Sequence, residues 1–140
     1  MYFPDLSEYA YGRAPPKRHI LNIGWLSKEH TYSQGVVPAE LSLRLAELIR
    51  SPVNLYRGSH LCEFCPEPPT IMSPGGIRML NPPPETRGNG EIRIRAHTGT
   101  VYVAPVLIHH YVAVHGYVPP EEFIEAVKTG SPVLDDGETQ

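Results

Sequence analysis

The chain is short of several things, and each shortage removes a class of protein. Cysteine occurs only twice in 140 residues, at Cys62 and Cys65, too few for the disulfide framework that holds small secreted domains together. No apolar run approaches the about 20 residues of a membrane-spanning helix. The start, Met1-Tyr2-Phe3-Pro4-Asp5, has no basic stretch followed by an apolar core, so a cytoplasmic chain without a membrane partner is expected. Charge of one sign is scarce in any one place: the formal net charge is −3 and no long basic or acidic run occurs. Nucleic-acid binding through counterion release wants a dense basic face, so that partner is not expected either. A phosphate loop is missing too, because Ser73-Pro74-Gly75-Gly76 lacks the length and the lysine that one needs.

What is abundant is punctuation. Sixteen prolines and 12 glycines call for short elements and ordered turns, and they sit between apolar runs rather than in one low-complexity tract. The length suits one domain that buries roughly two-thirds of its unfolded surface. The expected architecture is α+β: a small, mostly antiparallel sheet with about three helices, over residues 1–130, followed by a loose acidic tail, 131–140. The aromatic arm of residues 1–17 is too broken for an element of its own. Ile20 to Leu26 reads as a central strand, apolar on both faces.

Leu41, Leu45, Leu48 and Ile49 give one face of a helix opened by Pro38. Val53 to Tyr56 and Ile77 to Leu80 suit short strands, and the proline-rich stretches 66–76 and 81–90 suit exposed loops. The clearest hairpin alternates Ile92, Ile94 and Ala96 with Arg93 and Arg95, turns at His97-Thr98-Gly99-Thr100 and returns through Val101-Tyr102-Val103. Its arginines are expected to face solvent or a partner. A buried helix, apolar all round, is expected from Pro105 to a left-handed stop at Gly116, and another from Pro119-Pro120 to Gly130.

The chemistry concentrates in Arg57-Gly58-Ser59-His60-Leu61-Cys62-Glu63-Phe64-Cys65-Pro66. Two cysteines three apart can be presented to one ion by a tight turn, and a tetrahedral zinc site draws its four ligands from Cys and His. If 60–62 is extended, His60 and Cys62 point to one side, which makes His60 a third candidate. The remaining ligand must come from the histidines of the buried helix. His110 and His115 are five apart, about 140° around an ideal helix, so one of them is expected to ligate unless His115 folds back past the helix end. His110 ranks first because it sits mid-helix. His19, His30 and His97 are expected to have no role in the site.

Other readings of the same residues are weaker. A zinc deaminase needs a glutamate two residues after its histidine and a Pro-Cys-x-x-Cys, whereas Cys62 follows His60 at that spacing and Pro66 trails the pair. A thioredoxin-like dithiol would open a helix, which Pro66, Pro68 and Pro69 prevent. Unliganded core cysteines are the bland alternative, since free Cys is among the most buried residue types. Tyr56-Arg57-Gly58 has none of the partner motifs of an ADP-ribosyltransferase.

Tyr2-Phe3-Pro4-Asp5-Leu6-Ser7 with Tyr11-Gly12, Asn22-Ile23-Gly24-Trp25-Leu26, the Arg57 to Cys65 segment and His110-Tyr111 through His115-Gly116-Tyr117-Val118-Pro119-Pro120 together resemble a family of small bacterial proteins described as a domain of unknown function. The resemblance spans nearly the whole chain and implies a bacterial, cytosolic, single-domain protein. The residues themselves favour a structural zinc in a non-enzymatic, protein-binding module of the immunity or adaptor kind. A metal-dependent hydrolase, with an open zinc position and Glu63 or Glu67 as base, is the alternative. A thiol redox protein comes last.

Overall fold

The strongest alternation in the sequence forms the middle of the sheet. In the computed structural model, which describes residues 2–9, 17–53, 59–65, 70–80 and 87–134, β7 (Glu91–Arg95) and β8 (Val101–Pro105) pair antiparallel with Ile94 opposite Tyr102. Their turn closes through Ala96 N–H to Thr100 O at 2.8 Å and Gly99 N–H to Ala96 O at 2.9 Å. On the far side of β8 lies β2 (Lys17–Asn22), parallel to it, and then β1 (Glu8–Tyr9); β9 (Ser131–Pro132) pairs with β7 at the other edge. The five-stranded sheet is therefore mixed, with a single parallel pair among antiparallel ones. Two further two-stranded sheets join β3 (Ser59–Leu61) to β6 (Arg87–Asn89) and β4 (Thr70–Met72) to β5 (Arg78–Leu80).

Three helices cover one face of the main sheet: α1 (Ala39–Leu48), α2 (Ile108–His115) and α3 (Glu121–Thr129). The apolar stripe of α1 buries Leu41, Leu45 and Leu48 in a core with Ile92, Ile94, Tyr102, Ala104, Ile108 and Phe123. Each such side chain contributes roughly 1.5–3 kcal/mol by leaving water. The opposite face is not left to solvent. Tyr9, Ile20, Trp25, Val101 and Val103 form a second, smaller core there, with Phe3 edge-on to Trp25 at 5.6 Å.

That second layer overturns the expectation for the hairpin arginines. Arg93 is 5% exposed. Its guanidinium lies 2.9 Å from the carboxylate of fully buried Glu91 and donates to the Tyr9 hydroxyl at 3.1 Å. Only Arg95 keeps partial exposure. The N-terminal arm likewise does form an element, because β2 offers it an edge: Glu8–Tyr9 pair there, and Phe3 bridges Trp25.

Several boundaries move. β2 ends at Asn22 rather than running to Leu26, and Pro38 caps α1 from outside instead of opening it. Pro105 stays in β8 opposite Glu91, so α2 begins only at Ile108. Nor is α2 buried all round, since Val114 is 60% exposed. Of the strand expected over 53–56, Val53 makes an isolated bridge to Glu91, while 54–56 lie outside the described residues. Residues 87–89 of the expected 81–90 loop form β6, and Ser131–Pro132 of the expected tail form β9.

Two features give measurable consequences. A Cβ at Gly130 would stand 2.4 Å from Arg95 O and 2.6 Å from Ala126 O, so Gly130→Ala must push α3 away from β7. We expect a loss of at least about 2 kcal/mol, typical of overpacking, in urea denaturation; an unchanged midpoint would show that this approach has slack. The second is alkaline sensitivity. Burial, then the Glu122 carboxylate that accepts from its hydroxyl at 2.8 Å, pushes the Tyr102 phenol up to about 12. Tyr117, buried and donating to Asp5 Oδ2 at 2.7 Å, is raised as well. A raised phenol pKa favours the folded state fully below the ordinary value near 10, and that contribution disappears as pH climbs through the folded value. Stability should therefore hold to about pH 10 and fall steeply by pH 12, followed by denaturation midpoints alongside tyrosinate absorbance.

Candidate metal centre

β3 ends at Leu61, and the chain turns tightly through Cys62-Glu63-Phe64-Cys65. The turn is what a two-residue gap between cysteines needs in order to face both sulfurs one way. β3 is held by β6, with His60 opposite Gly88, and β6 lies hard against the start of α2: a Cβ at Gly88 would sit 3.3 Å from Leu107 N and from Val106. The small β3–β6 sheet thus sets the cysteine turn beside α2, far along the sequence.

The result is a cluster of Cys62, Cys65, His110 and His115 whose ligand atoms all lie within 4.8 Å of one another. Cys65 Sγ is 3.2 Å from His110 Nε2 and 3.4 Å from His115 Nε2, and Cys62 Sγ is 3.4 Å from His115 Nε2. Among the described residues no carboxylate belongs to the cluster. Such a set can hold a metal ion.

Both helix histidines reach the sulfurs, which is the arrangement left open for a His115 at the helix end, where the spacing alone suggested one. Their rings stand 4.9 Å apart at 77°, and the cause is the end of the helix. Tyr111 O accepts from the N–H of Gly116 and, at 3.1 Å, from that of Tyr117, and Gly116 is left-handed at φ 67°. The left-handed Gly116 closes the helix directly after His115, and from this last helical position the His115 ring reaches the same sulfur as His110. The side chain of His60, the other candidate, lies outside the described residues, as does Glu67.

The surroundings fix the donors. Cys62 and His110 are buried, while Cys65 and His115 are half-buried at the edge of the main core. Phe64, inside the cysteine turn, packs its ring against His115 at 5.5 Å, Tyr111 at 5.9 Å and Tyr32 at 5.2 Å. The Tyr32 hydroxyl donates to His115 O at 3.1 Å, and Glu63 Oε1 accepts from Lys28 N–H at 3.0 Å. Sequence reasoning missed Phe64 and Tyr32, although an aromatic inside a turn of polar and cysteine residues was a signal that the turn packs on something.

Burial pushes the Cys62 thiol up to about 11 in the absence of a cation, against backbone N–H bonds from Phe64 and Cys65 that favour the thiolate. Burial also lowers His115, which keeps its imidazole in the neutral form that ligates. Tyr111 is raised by burial and then by the neighbouring Cys62, Glu63 and Cys65. A bound divalent cation inverts the logic at the sulfurs, since a coordinating thiol is deprotonated outright. Among the described residues no helix is long and apolar enough to cross a membrane.

A family model described as "Domain of unknown function (DUF7919)" matches residues 1–128. No curated protein and no solved structure matches the chain.

Proposed function

The chain belongs to this domain-of-unknown-function family, and we propose that it is a zinc-stapled, non-enzymatic protein-binding module. The observation that carries the metal reading is the convergence of two thiols and two imidazoles, from segments 45–53 residues apart, into one cluster. Zinc is the ion that two cysteines and two histidines suit best. With Zn–S near 2.3 Å and Zn–N near 2.0–2.1 Å, a tetrahedral S···N edge is about 3.5 Å; the three Sγ···Nε2 separations of 3.2–3.4 Å fit that edge.

A structural role follows from ligand count. Four protein donors complete the shell and leave no position for an activated water. Glu63, the described candidate for a general base, has Oε1 engaged by Lys28 N–H. A redox dithiol is disfavoured because burial raises the Cys62 thiol instead of lowering it. The zinc would join the turn after β3 to the end of α2. Met72 and Ile77, exposed at the head of the β4–β5 hairpin, are among the apolar positions available to a protein partner, in keeping with an immunity or adaptor role.

Elemental mass spectrometry on tag-free protein purified without chelator tests the metal. We expect about one zinc per chain, lost in Cys65→Ser and in His110→Ala, with X-ray absorption at the zinc edge fitting two sulfur and two nitrogen neighbours. Metal-free protein, or a spectrum requiring a bound water in place of one protein ligand, would overturn this reading.

A further inference from the structure

Beside the metal cluster, on the other flank of α2, lies a cavity of about 240 Å³ lined by Ile49, Arg87, Val106, Leu107, His109, His110, Ala113 and Val114. Its chemistry is lopsided. The walls are aliphatic, and among the described residues the polar lining consists of one guanidinium and two imidazoles, with no carboxylate. It also accounts for the apolar side of α2 that the fold leaves uncovered, since Val114 is 60% exposed and Ala113 is exposed at the cavity wall. Among the described residues the side chains of Arg87 and His109 make no hydrogen bond or ion pair.

We propose that this cavity is a binding site for a short-chain aliphatic monocarboxylate, the chain lying between Ile49, Leu107 and Val114 and the carboxylate held by Arg87 with His109 beside it. An aliphatic wall ending in uncommitted N–H donors recognises a molecule that is apolar along its length and anionic at one end. The volume is below the about 300–1,000 Å³ of clefts that enclose drug-sized ligands, which favours a short chain over a long one. Arg87 is exposed at the mouth of the cavity, so a carboxylate gains a charge-assisted hydrogen bond there that a neutral ligand forgoes, and a bare anion would leave the aliphatic wall wet. The argument uses no bound metal and stands apart from the zinc reading, though His110 borders both places.

The experiment is methyl NMR on the intact, metal-replete chain, titrated separately with butanoate, hexanoate, hexanamide and inorganic phosphate. Saturable shifts confined to Ile49, Val106, Leu107 and Val114 methyls are expected with hexanoate. Affinity should rise about fourfold per added methylene from butanoate, and hexanamide should bind at least about tenfold more weakly than hexanoate. Arg87→Gln should erase the preference for carboxylate over amide, and Val114→Glu, which sets a negative charge at the exposed rim, should abolish hexanoate binding. Both residues are outside the metal cluster, so zinc content measured on the same samples should not change. Equal affinity for hexanoate and hexanamide, phosphate matching hexanoate, shifts that never saturate or lie elsewhere, or a carboxylate preference that survives Arg87→Gln would each overturn the assignment.

Discussion

Cys62→Ser should strip the chain of the proposed zinc and lower its melting temperature by about 6–20 °C, and adding a strong chelator to the parent protein should do the same. The size follows from two magnitudes. A structural zinc site contributes about 10–16 kcal/mol of apparent binding free energy in small fingers that have no other core. Here Leu41, Leu45, Ile94, Ile108 and Phe123 are packed without the ion's help, so only part of that free energy is expressed as stability. A loss of about 3–5 kcal/mol corresponds to roughly 6–20 °C in a chain of this size, at about 2–4 °C per kcal/mol. The loss should also be local. Hydrogen exchange should accelerate at 59–65 and in the last turn of α2, while β7 and β8 remain protected. His115→Ala, at a half-buried donor, should cost less than Cys62→Ser at a buried one. Identical melting of parent and Cys62→Ser, in zinc-replete and chelated buffer alike, would remove the staple from the account of this fold.

How much of this site could be read in the sequence depended on how local each signal was. The cysteine pair is a local signal, because a turn of two intervening residues is enough to converge the sulfurs, and Cys62 and Cys65 stood out at once. The histidine helix was equally visible, but its contribution was undercounted: an ideal 3.6-residue turn separates His110 from His115, and where the last helical side chain can reach depends on how the chain leaves the helix through Gly116 and Tyr117. Which histidines meet which sulfurs was not local at all. That is decided by the β3–β6 pairing and by the close approach of Gly88 to Leu107, contacts between segments with no shared periodicity.

The same division holds for the fold. The β7–β8 hairpin, the leucine stripe of α1 and the start of α3 after Pro120 are dictated by neighbours in the chain, and they stand where the pattern puts them. The second face of the sheet was misjudged because β7 was read alone. Ile92 and Ile94 alternating with Arg93 and Arg95 looks like one wet face, yet β8 is buried at all five positions. A strand apolar on both faces requires cover on both, and its hairpin partner shares that cover.

Replacing Arg93 by Met should therefore cost far more than a surface arginine would, about 3–5 kcal/mol. Glu91 is fully buried and Arg93 is 5% exposed. Their ion pair at 2.9 Å is doubled by Arg93 Nε to Glu91 Oε2 at 3.0 Å, and Tyr9 accepts from the same guanidinium with its ring 5.1 Å from Arg93 Cζ. Taking away one charge leaves the other in a poorly solvating environment, and it loosens Tyr9, the residue that brings β1 onto the sheet. Glu91→Leu should be comparably damaging for the same reason. The double variant Glu91→Leu, Arg93→Met should be less destabilised than either single one, because removing both charges also removes the cost of burying them. Urea denaturation of the four proteins closes the cycle. If the two single costs simply add, the pair is not coupled, and each side chain contributes through its other contacts rather than through the ion pair. If the double variant recovers as expected, the pair adds little net stability over an apolar replacement, and its charges are costly chiefly when one is left without the other.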